Sequence, residues 1–359
     1  MNANLWNPNK ERLLTTLRGE IADRVPYFES LIEDRVVTHI LGRDVGSTMP
    51  ASRGTEDNGC MVPPPMDIRD YLELIEYTGQ DSVLYEALWV PMKMPDETGK
   101  LHAVTGGVVK QWQDLERVVQ PSWEDDLKYR KSYLEEYVAG AKEKNVAVTL
   151  FTGAFFQYTY EYLVGFEDFC VMAYEDRPLL ERCLDLCVEY YEKVIEIGIE
   201  AGIDILWVAD DVAYRSGTFV SPEMFEELWL ERMQKLVKMG KDAGIPVIFH
   251  SCGNLNGIMD TVICKLGIDC LHPIEPYSMD IDAIKSEYQD QFCIAGNIDI
   301  AGPLAFGTPD EAYREAEKLI TAMKPGGKYI FASSHSITND IPPENFDAML
   351  RALREVGVY

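Results

Sequence analysis

Eight short segments rich in β-branched and aromatic residues recur along the chain, and helix-like patterns separate them. Each segment has the length of a strand, and most follow glycine, proline or a charged turn. The segments cover residues 24–31, 81–88, 146–155, 203–211, 246–253, 268–276, 292–299 and 328–335. Strands that alternate with helices eight times predict an α/β fold, a single-domain (β/α)8 TIM barrel over residues 1–359.

The segments between the strands carry helix signals. Residues 221–244 begin with serine and proline and end with glycine, the residues preferred at those positions of a helix. Thr308 and Glu311 have the spacing of a capping box at the start of another helix. Residues 177–202 carry an apolar stripe at helical spacing, and two cysteines on this stripe are expected to pack in the core.

Two stretches interrupt this rhythm. Residues 89–123 predict a small excursion that contains a hairpin, and the Pro/Gly-rich residues 46–67 are a candidate lid. A doubly wound open sheet is the alternative fold. That fold normally has a glycine-rich phosphate loop after its first strand, and "YFESLIEDR" offers none.

Composition limits the classes of partner. The formal net charge is −27 and the pI about 4.5, which argues against nucleic acid or an anionic membrane surface as a partner. No apolar run of signal-peptide or transmembrane length is found. The eight cysteines are scattered, mostly in apolar surroundings, which favours buried thiols in a reducing cytoplasm over a disulfide framework.

The segment "PVIFHSCGNLNG" places a histidine and a cysteine two residues apart at the end of a predicted strand. Side chains two apart in a strand share a face, and active sites of (β/α)8 barrels lie at the carboxyl ends of the strands. His250 and Cys252 therefore predict a Zn2+ site, with His335 at the end of the last strand as third ligand and Glu275 as a displaceable fourth. The alternative is a structural or substrate-binding histidine.

Other polar groups follow the predicted strands. Asp210 and Asp211 are candidates for acid–base catalysis, and the alternative is a pair of solvated acids in a loop. Five further side chains are candidates for binding a substrate, although Tyr158 and Tyr160 also fit core packing. They are Tyr158, Tyr160, Tyr214, Arg215 and Asn297. His272 is expected to be structural.

Several long stretches resemble the uroporphyrinogen decarboxylase superfamily. They include "KERLLTTLRGEIADRVPYF", "DDVAYRSGTFVSPEMF", "PVIFHSCGNL", "GNIDIAGPLAFGTPDEAYREAEKLI" and "GGKYIFASSHSITNDIPPENFDAM". Together they run along nearly the whole chain, and the resemblance implies the same barrel that the alternation of strands and helices predicts.

The superfamily has two main branches, and the amino-terminal residues separate them. The true decarboxylases carry an arginine-rich motif that holds the carboxylates of the substrate. The corresponding "VPYFESLIEDRVV" has Arg35 as its only basic residue, and Glu29, Glu33 and Asp34 would repel a poly-anionic porphyrinogen. The resemblance therefore implies the branch of the corrinoid-dependent methyltransferases.

Enzymes of that branch hold zinc with a His-x-Cys pair and a later cysteine, and exchange a methyl group with cobalt on a separate corrinoid protein. His250 and Cys252 match the pair, but His335 stands where the later cysteine is expected. One thiolate donates less charge than two, so this departure from the family pattern leads to the hypothesis that zinc polarises an ether or hydroxyl oxygen of a small methylated substrate, such as a methoxylated aromatic, instead of activating a thiol.

The resemblance implies two partners, a cobalamin-type corrinoid protein and a small-molecule methyl donor or acceptor. The alternative function is a metal-free lyase of the same family that acts on a small carboxylic acid, with Asp210 or Asp211 as its acid–base. The sequence leaves a homodimer open.

Overall fold

The computed structural model describes residues 6–49 and 64–359. Residues 50–63, which make up most of the candidate lid predicted at 46–67, lie outside the described residues.

Seven parallel strands form the main sheet, and their order in the sheet is their order in the chain. The strands are β1 (Ser82–Ala87), β2 (Ala147–Thr152), β3 (Ile205–Ala209), β4 (Val247–His250), β5 (Cys270–His272), β6 (Cys293–Ile298) and β7 (Tyr329–Ser333). Each lies within one of the segments predicted from the sequence, so seven of those eight predictions are confirmed.

The first predicted segment, residues 24–31, does not form a strand, and this part of the eight-strand prediction is wrong. A single bridge joins Tyr27 to Phe331 of β7, and the N–H of Asp81 donates to the carbonyl of Tyr27. The segment thus bonds to both edges of the sheet without forming a ladder. Pro26 has no N–H, and the N–H of Tyr27 donates to the Asp81 carboxylate instead of a strand carbonyl.

Ten helices of eight or more residues are described outside the sheet. They are α1 (Lys10–Leu17), α2 (Asp34–Leu41), α3 (Ile68–Thr78), α4 (Lys128–Lys144), α5 (Phe166–Glu175), α6 (Arg177–Ala201), α7 (Glu231–Asp242), α8 (Ile281–Tyr288), α9 (Pro309–Met323) and α10 (Pro343–Val356). None of the helices in the described residues is long and apolar enough to cross a lipid bilayer.

Shorter elements complete the fold. Four-residue helices cover Trp112–Leu115, Phe155–Tyr158, Pro222–Phe225 and Pro303–Phe306. π-Helical turns cover Trp123–Leu127, Thr159–Leu163 and Glu226–Leu230. 3-10 turns cover Asn256–Ile258 and Ile263–Lys265. An antiparallel ribbon of Lys93–Pro95 with Leu101–Ala103 confirms the predicted hairpin, and a smaller ribbon pairs Ala213–Tyr214 with Gly217–Thr218.

The sheet curls around an inner core. Buried side chains from all seven strands belong to one cluster, in which Leu84 of β1 and Ile330 of β7 are joined by Leu13 and Leu17 of α1. Because the two edge strands share this cluster, the sheet cannot be flat. The larger outer core lies between the sheet and the helices, and the carboxyl ends of the strands converge on one rim.

Candidate metal centre

The candidate centre is built where β3 and β4 end. The parallel register pairs Ala209 with His250, and His250 in turn with His272 of β5. Cys252 follows β4 by two residues and Asp211 follows β3 by two residues. The matched strand ends therefore bring these side chains to one point on the rim.

The three side chains form a compact group of potential metal ligands. His250 Nε2 lies 3.6 Å from Cys252 Sγ and 3.6 Å from Asp211 Oδ1. All three ligand atoms lie within 4.8 Å of one another, and no other such group of three occurs among the described residues. The N–H of Cys252 donates to Asp211 Oδ1 at 2.8 Å, which fixes the carboxylate against the loop after β4.

These separations fit a tetrahedral ion. Ligands bound to zinc at about 2.0 to 2.3 Å in a tetrahedron stand about 3.3 to 3.8 Å apart. The two distances from His250 Nε2 lie within this range. Imidazole nitrogen, thiolate and carboxylate are all donors that zinc accepts.

The electrostatics of the centre favour a bound cation. Burial lowers the pKa of His250 to about 4, so its ring is neutral and a nitrogen lone pair is available near neutral pH. Burial, followed by the negative charges of Asp211 and Glu275, raises the pKa of the Cys252 thiol well above its ordinary value. A cation beside the sulfur would oppose both effects and favour the thiolate.

A second histidine lies directly behind the first. His250 Nδ1 is 2.7 Å from His272 Nδ1, and the two rings stack with centroids 4.9 Å apart. Burial lowers the pKa of His272 well below its ordinary value. The sequence predicts a structural role for His272. The signal that could have identified it was its position at the end of the strand that follows the His250 strand.

His335 lies two residues after β7 and is exposed. Its side chain is not in the group of three potential ligands, although its charge contributes to the lowered pKa of both His250 and His272. Among the described residues, Asp211 is thus the third member of the group beside His250 and Cys252, where the sequence predicts His335. A role for His335 as a ligand stays a prediction.

Asp210 points away from this group and is fully buried. Its carboxylate accepts three hydrogen bonds, from the N–H groups of Phe156 (3.1 Å) and Gln157 (2.8 Å) and from Trp229 Nε1 (2.8 Å). Burial raises its pKa well above the ordinary value. The reading of Asp210 as a solvated loop acid is therefore wrong, and its proposed part in proton transfer stays a prediction.

Glu275 braces the turn that follows Cys252. Its Oε2 accepts the N–H of Gly253 at 2.7 Å and the hydroxyl of Ser278 at 3.0 Å. Gly253 has φ +90°, and a Cβ there would lie 2.4 Å from the carbonyl oxygen of Ala213, so only glycine fits. Glu275 thus holds the loop in place, and its role as a displaceable ligand stays a prediction.

The predicted substrate-binding residues are found in different surroundings. Tyr160 is buried and donates from its hydroxyl to the carbonyl of Asp211 at 3.0 Å. Tyr214 is 54% exposed, and Arg215 stacks over the ring of Tyr277 at 4.8 Å. Tyr158 is buried in the outer core, which agrees with the alternative prediction that its side chain packs in the core. Asn297 is buried near the end of β6, and its contact with a substrate stays a prediction.

Comparisons with known proteins show which family the chain resembles. The family model described as uroporphyrinogen decarboxylase (URO-D) matches residues 69–356. Similar curated proteins include a uroporphyrinogen decarboxylase of Cellvibrio japonicus, 26% identical over 193 residues, which are 52% of this chain and 51% of that protein. A methylcobamide:CoM methyltransferase of Methanosarcina barkeri is 28% identical over 195 residues, 54% of each chain. The chain thus spans about half the length of the curated relatives it matches.

Among solved structures, a methyltransferase from Methanosarcina mazei superposes on this chain with a TM-score of 0.70 at 20% identity. The match covers 97% of this chain and 99% of the methyltransferase. It shows that the two share a fold over their whole lengths.

Proposed function

The chain belongs to the uroporphyrinogen decarboxylase family, and within that family we propose that it is a zinc-dependent methyltransferase. It moves a methyl group between a small methylated substrate and the cobalt of a corrinoid, a cobalamin, carried by a partner protein. The observation that carries the proposal is the Asp211, His250 and Cys252 group, whose spacing suits tetrahedral zinc. The similarity to a methylcobamide:CoM methyltransferase supports it.

His250, Cys252 and Asp211 would hold the ion, and His335 or Glu275 is proposed as a fourth ligand that the substrate displaces. When bound, zinc supplies Lewis-acid polarisation of a substrate atom. Catalytic zinc sites keep a position open for water or substrate, and a three-residue group leaves that position free.

The donor set favours an oxygen-containing substrate. Asp211 offers a hard carboxylate oxygen where a second soft thiolate would suit the activation of a thiol. A carboxylate oxygen donates less electron density to zinc than a thiolate sulfur does, although each carries one negative charge, so this site is a stronger electrophile toward an ether or hydroxyl oxygen than a site with two thiolates. We therefore propose a methyl ether, in which the methyl carbon is transferred and the oxygen leaves with the bonding electron pair.

An aromatic wall beside Asp211 supports a flat substrate. Tyr160 packs edge-to-face on Phe166 and Phe219, and the exposed Tyr214 packs on Phe219 at 4.3 Å. The Tyr160 hydroxyl donates to the backbone carbonyl of Asp211, so this wall is tied directly to the candidate centre. A methoxylated aromatic ring would stack on such a surface while its ether oxygen faces the ligand group.

The test is the metal content of protein purified without a chelator or a histidine tag. We expect about one zinc per chain in the wild type and loss of that zinc in Cys252→Ser, because the thiolate is a direct ligand. Cys170→Ser is the matched control, since Cys170 lies on α5 and outside the ligand group. Turnover of aryl methyl ethers with free cob(I)alamin then tests the substrate class.

A wild type that takes up no zinc even when zinc is supplied would refute the zinc-dependent reaction. Methyl transfer supported by a thiol but by no ether would refute the substrate class alone.

A second candidate is a metal-free decarboxylase of a small carboxylic acid, which the names of several relatives favour. It predicts release of carbon dioxide by metal-free protein, with Asp210 or Asp211 moving the proton. Porphyrinogen itself is a poor candidate, because Arg35 is exposed and its guanidinium donates to the backbone carbonyl of Asn339.

A further inference from the structure

The contact between His250 and His272 restricts where protons lie in the candidate centre. The two Nδ1 atoms are 2.7 Å apart, a hydrogen-bond distance, and both side chains are buried. A hydrogen bond between two ring nitrogens contains one proton, so one Nδ1 donates and the other accepts. Two protonated Nδ1 atoms at this distance would repel, and two bare ones would leave both lone pairs facing each other.

The other face of His250 decides which ring donates. Its Nε2 lies 3.6 Å from both Cys252 Sγ and Asp211 Oδ1. A nitrogen that binds a metal ion presents its lone pair and carries no proton. The proton of His250 must then be on Nδ1, which makes His250 the donor and His272 the acceptor.

We infer that His272 is a positioning residue that holds His250 in the tautomer and ring orientation needed to bind zinc through Nε2. The inference rests on the proposed function, because it takes zinc as the ion. Outer-shell partners of metal-binding histidines commonly act in this way, most often as carboxylates or backbone carbonyls.

A neutral histidine suits this position better than a carboxylate. Asp211 and Glu275 already place two carboxylates around the Cys252 loop. A third carboxylate behind His250 would add another negative charge to the buried centre. His272 accepts the hydrogen bond without adding charge, and the rings of Trp207 at 4.8 Å and Phe28 at 5.7 Å pack against it.

The experiment compares His272→Leu with His272→Asn. Leucine removes the acceptor, whereas the amide oxygen of asparagine stands close to where Nδ1 stood and accepts the same proton. Affinity for zinc alone is measured by competition with a chelator, and the thiolate-to-metal band of the Co2+-substituted protein reports the ligand geometry. We expect about 10- to 100-fold weaker zinc binding and an altered band in His272→Leu, and values within a few-fold of wild type in His272→Asn.

His102→Leu is the control, because His102 is exposed in the ribbon at Leu101–Ala103 and bonds to Asp96. Wild-type affinity in His272→Leu would overturn the inference. Equal weakening in both folded His272 variants would also overturn it, since that result indicates a packing role.

Nitrogen-15 NMR of the imidazole rings separates this inference from the proposed function. If the wild type binds no zinc, the proposed function fails, and the metal-free protein still reports the tautomers. A proton on His250 Nδ1 that is redistributed in His272→Leu supports positioning by His272. A proton on His250 Nε2 in the wild type overturns it.

Discussion

Asp211 makes two separate contacts in the candidate centre, and they can be tested apart. Its Oδ1 lies 3.6 Å from His250 Nε2 and also accepts the N–H of Cys252. Asp211→Asn keeps an oxygen acceptor for that N–H but removes the negative charge that a cation needs. Changing an outer-shell partner of a metal ligand typically weakens metal binding about 10- to 100-fold. We expect Asp211→Asn to weaken zinc binding by more than this, with little change in the stability of the metal-free protein.

His335→Asn is the matched comparison, because His335 is exposed and stands outside the ligand group. We expect a smaller loss of affinity than in Asp211→Asn when both are measured by chelator competition. A larger loss in His335→Asn would make His335 the principal third ligand, as the family resemblance implies.

Residue identities alone were enough to predict part of this centre. The two-residue period of a strand predicted that His250 and Cys252 share a face, because that period depends only on local geometry. The contribution of Asp211 depends on the register between neighbouring strands, which pairs Ala209 with His250. No local pattern encodes that register, and the contact between His250 and His272 depends on the register between β4 and β5 in the same way.

At the level of elements, the extended segment 24–31 is held to β7 by a buried carboxyl group. Glu29 accepts the N–H of Ser333 at 3.1 Å and the Ser333 hydroxyl at 2.5 Å. Burial raises the pKa of Glu29 from its ordinary value of 4.5 to about 8. The segment therefore depends on a carboxyl group that is neutral in the folded protein.

This shift predicts a pH dependence of stability. Between pH 4.5 and about 8 the folded protein binds the Glu29 proton more tightly than the unfolded chain does. The contribution of this proton to the free energy of unfolding is fully present below the ordinary pKa of Glu29. It is lost as pH rises through the pKa of Glu29 in the folded protein, and the free energy of unfolding then falls with a slope approaching about 1.4 kcal/mol per pH unit. Glu29→Gln stays neutral, so it should lose this component when unfolding by denaturant is followed from pH 5 to 8.

The difference in the pH dependence of unfolding between wild type and Glu29→Gln isolates the contribution of Glu29. Other carboxyl groups with a raised pKa, such as that of Glu315, contribute equally to both proteins. Parallel pH profiles for the two proteins would show that Glu29 is not the titrating group.

Local rules predicted most elements and missed those that depend on the surrounding structure. The capping box of α9 is present, with the N–H of Glu311 donating to the Thr308 hydroxyl at 3.3 Å. The helix predicted at 221–244 begins at the expected residue but contains a π-helical turn at Glu226–Leu230. Segment 24–31 has the composition of a strand, yet the N–H groups of Tyr27 and Glu29 donate to the side chains of Asp81 and Gln80 at the edge of the sheet.

At the level of the whole molecule, the candidate centre joins two strands of the curled sheet. Asp211 follows β3, whereas His250 ends β4 and Cys252 follows it. The ligands come together only when the strands pair, so an ion held by all three binds the folded protein and not the unfolded chain. Metal binding and global stability are therefore linked.

Thermal unfolding with and without zinc measures this linkage. At free zinc 100 times Kd, an ion that binds only the folded state adds about 2.7 kcal/mol to the free energy of unfolding. We expect a higher Tm with zinc in the wild type and no rise in Cys252→Ser. Cys170→Ser has the same number of cysteines as Cys252→Ser, so zinc bound by unfolded thiols affects both equally. A rise confined to the wild type and Cys170→Ser therefore assigns the stabilisation to the folded centre, whereas an equal rise in all three proteins would place the ion elsewhere.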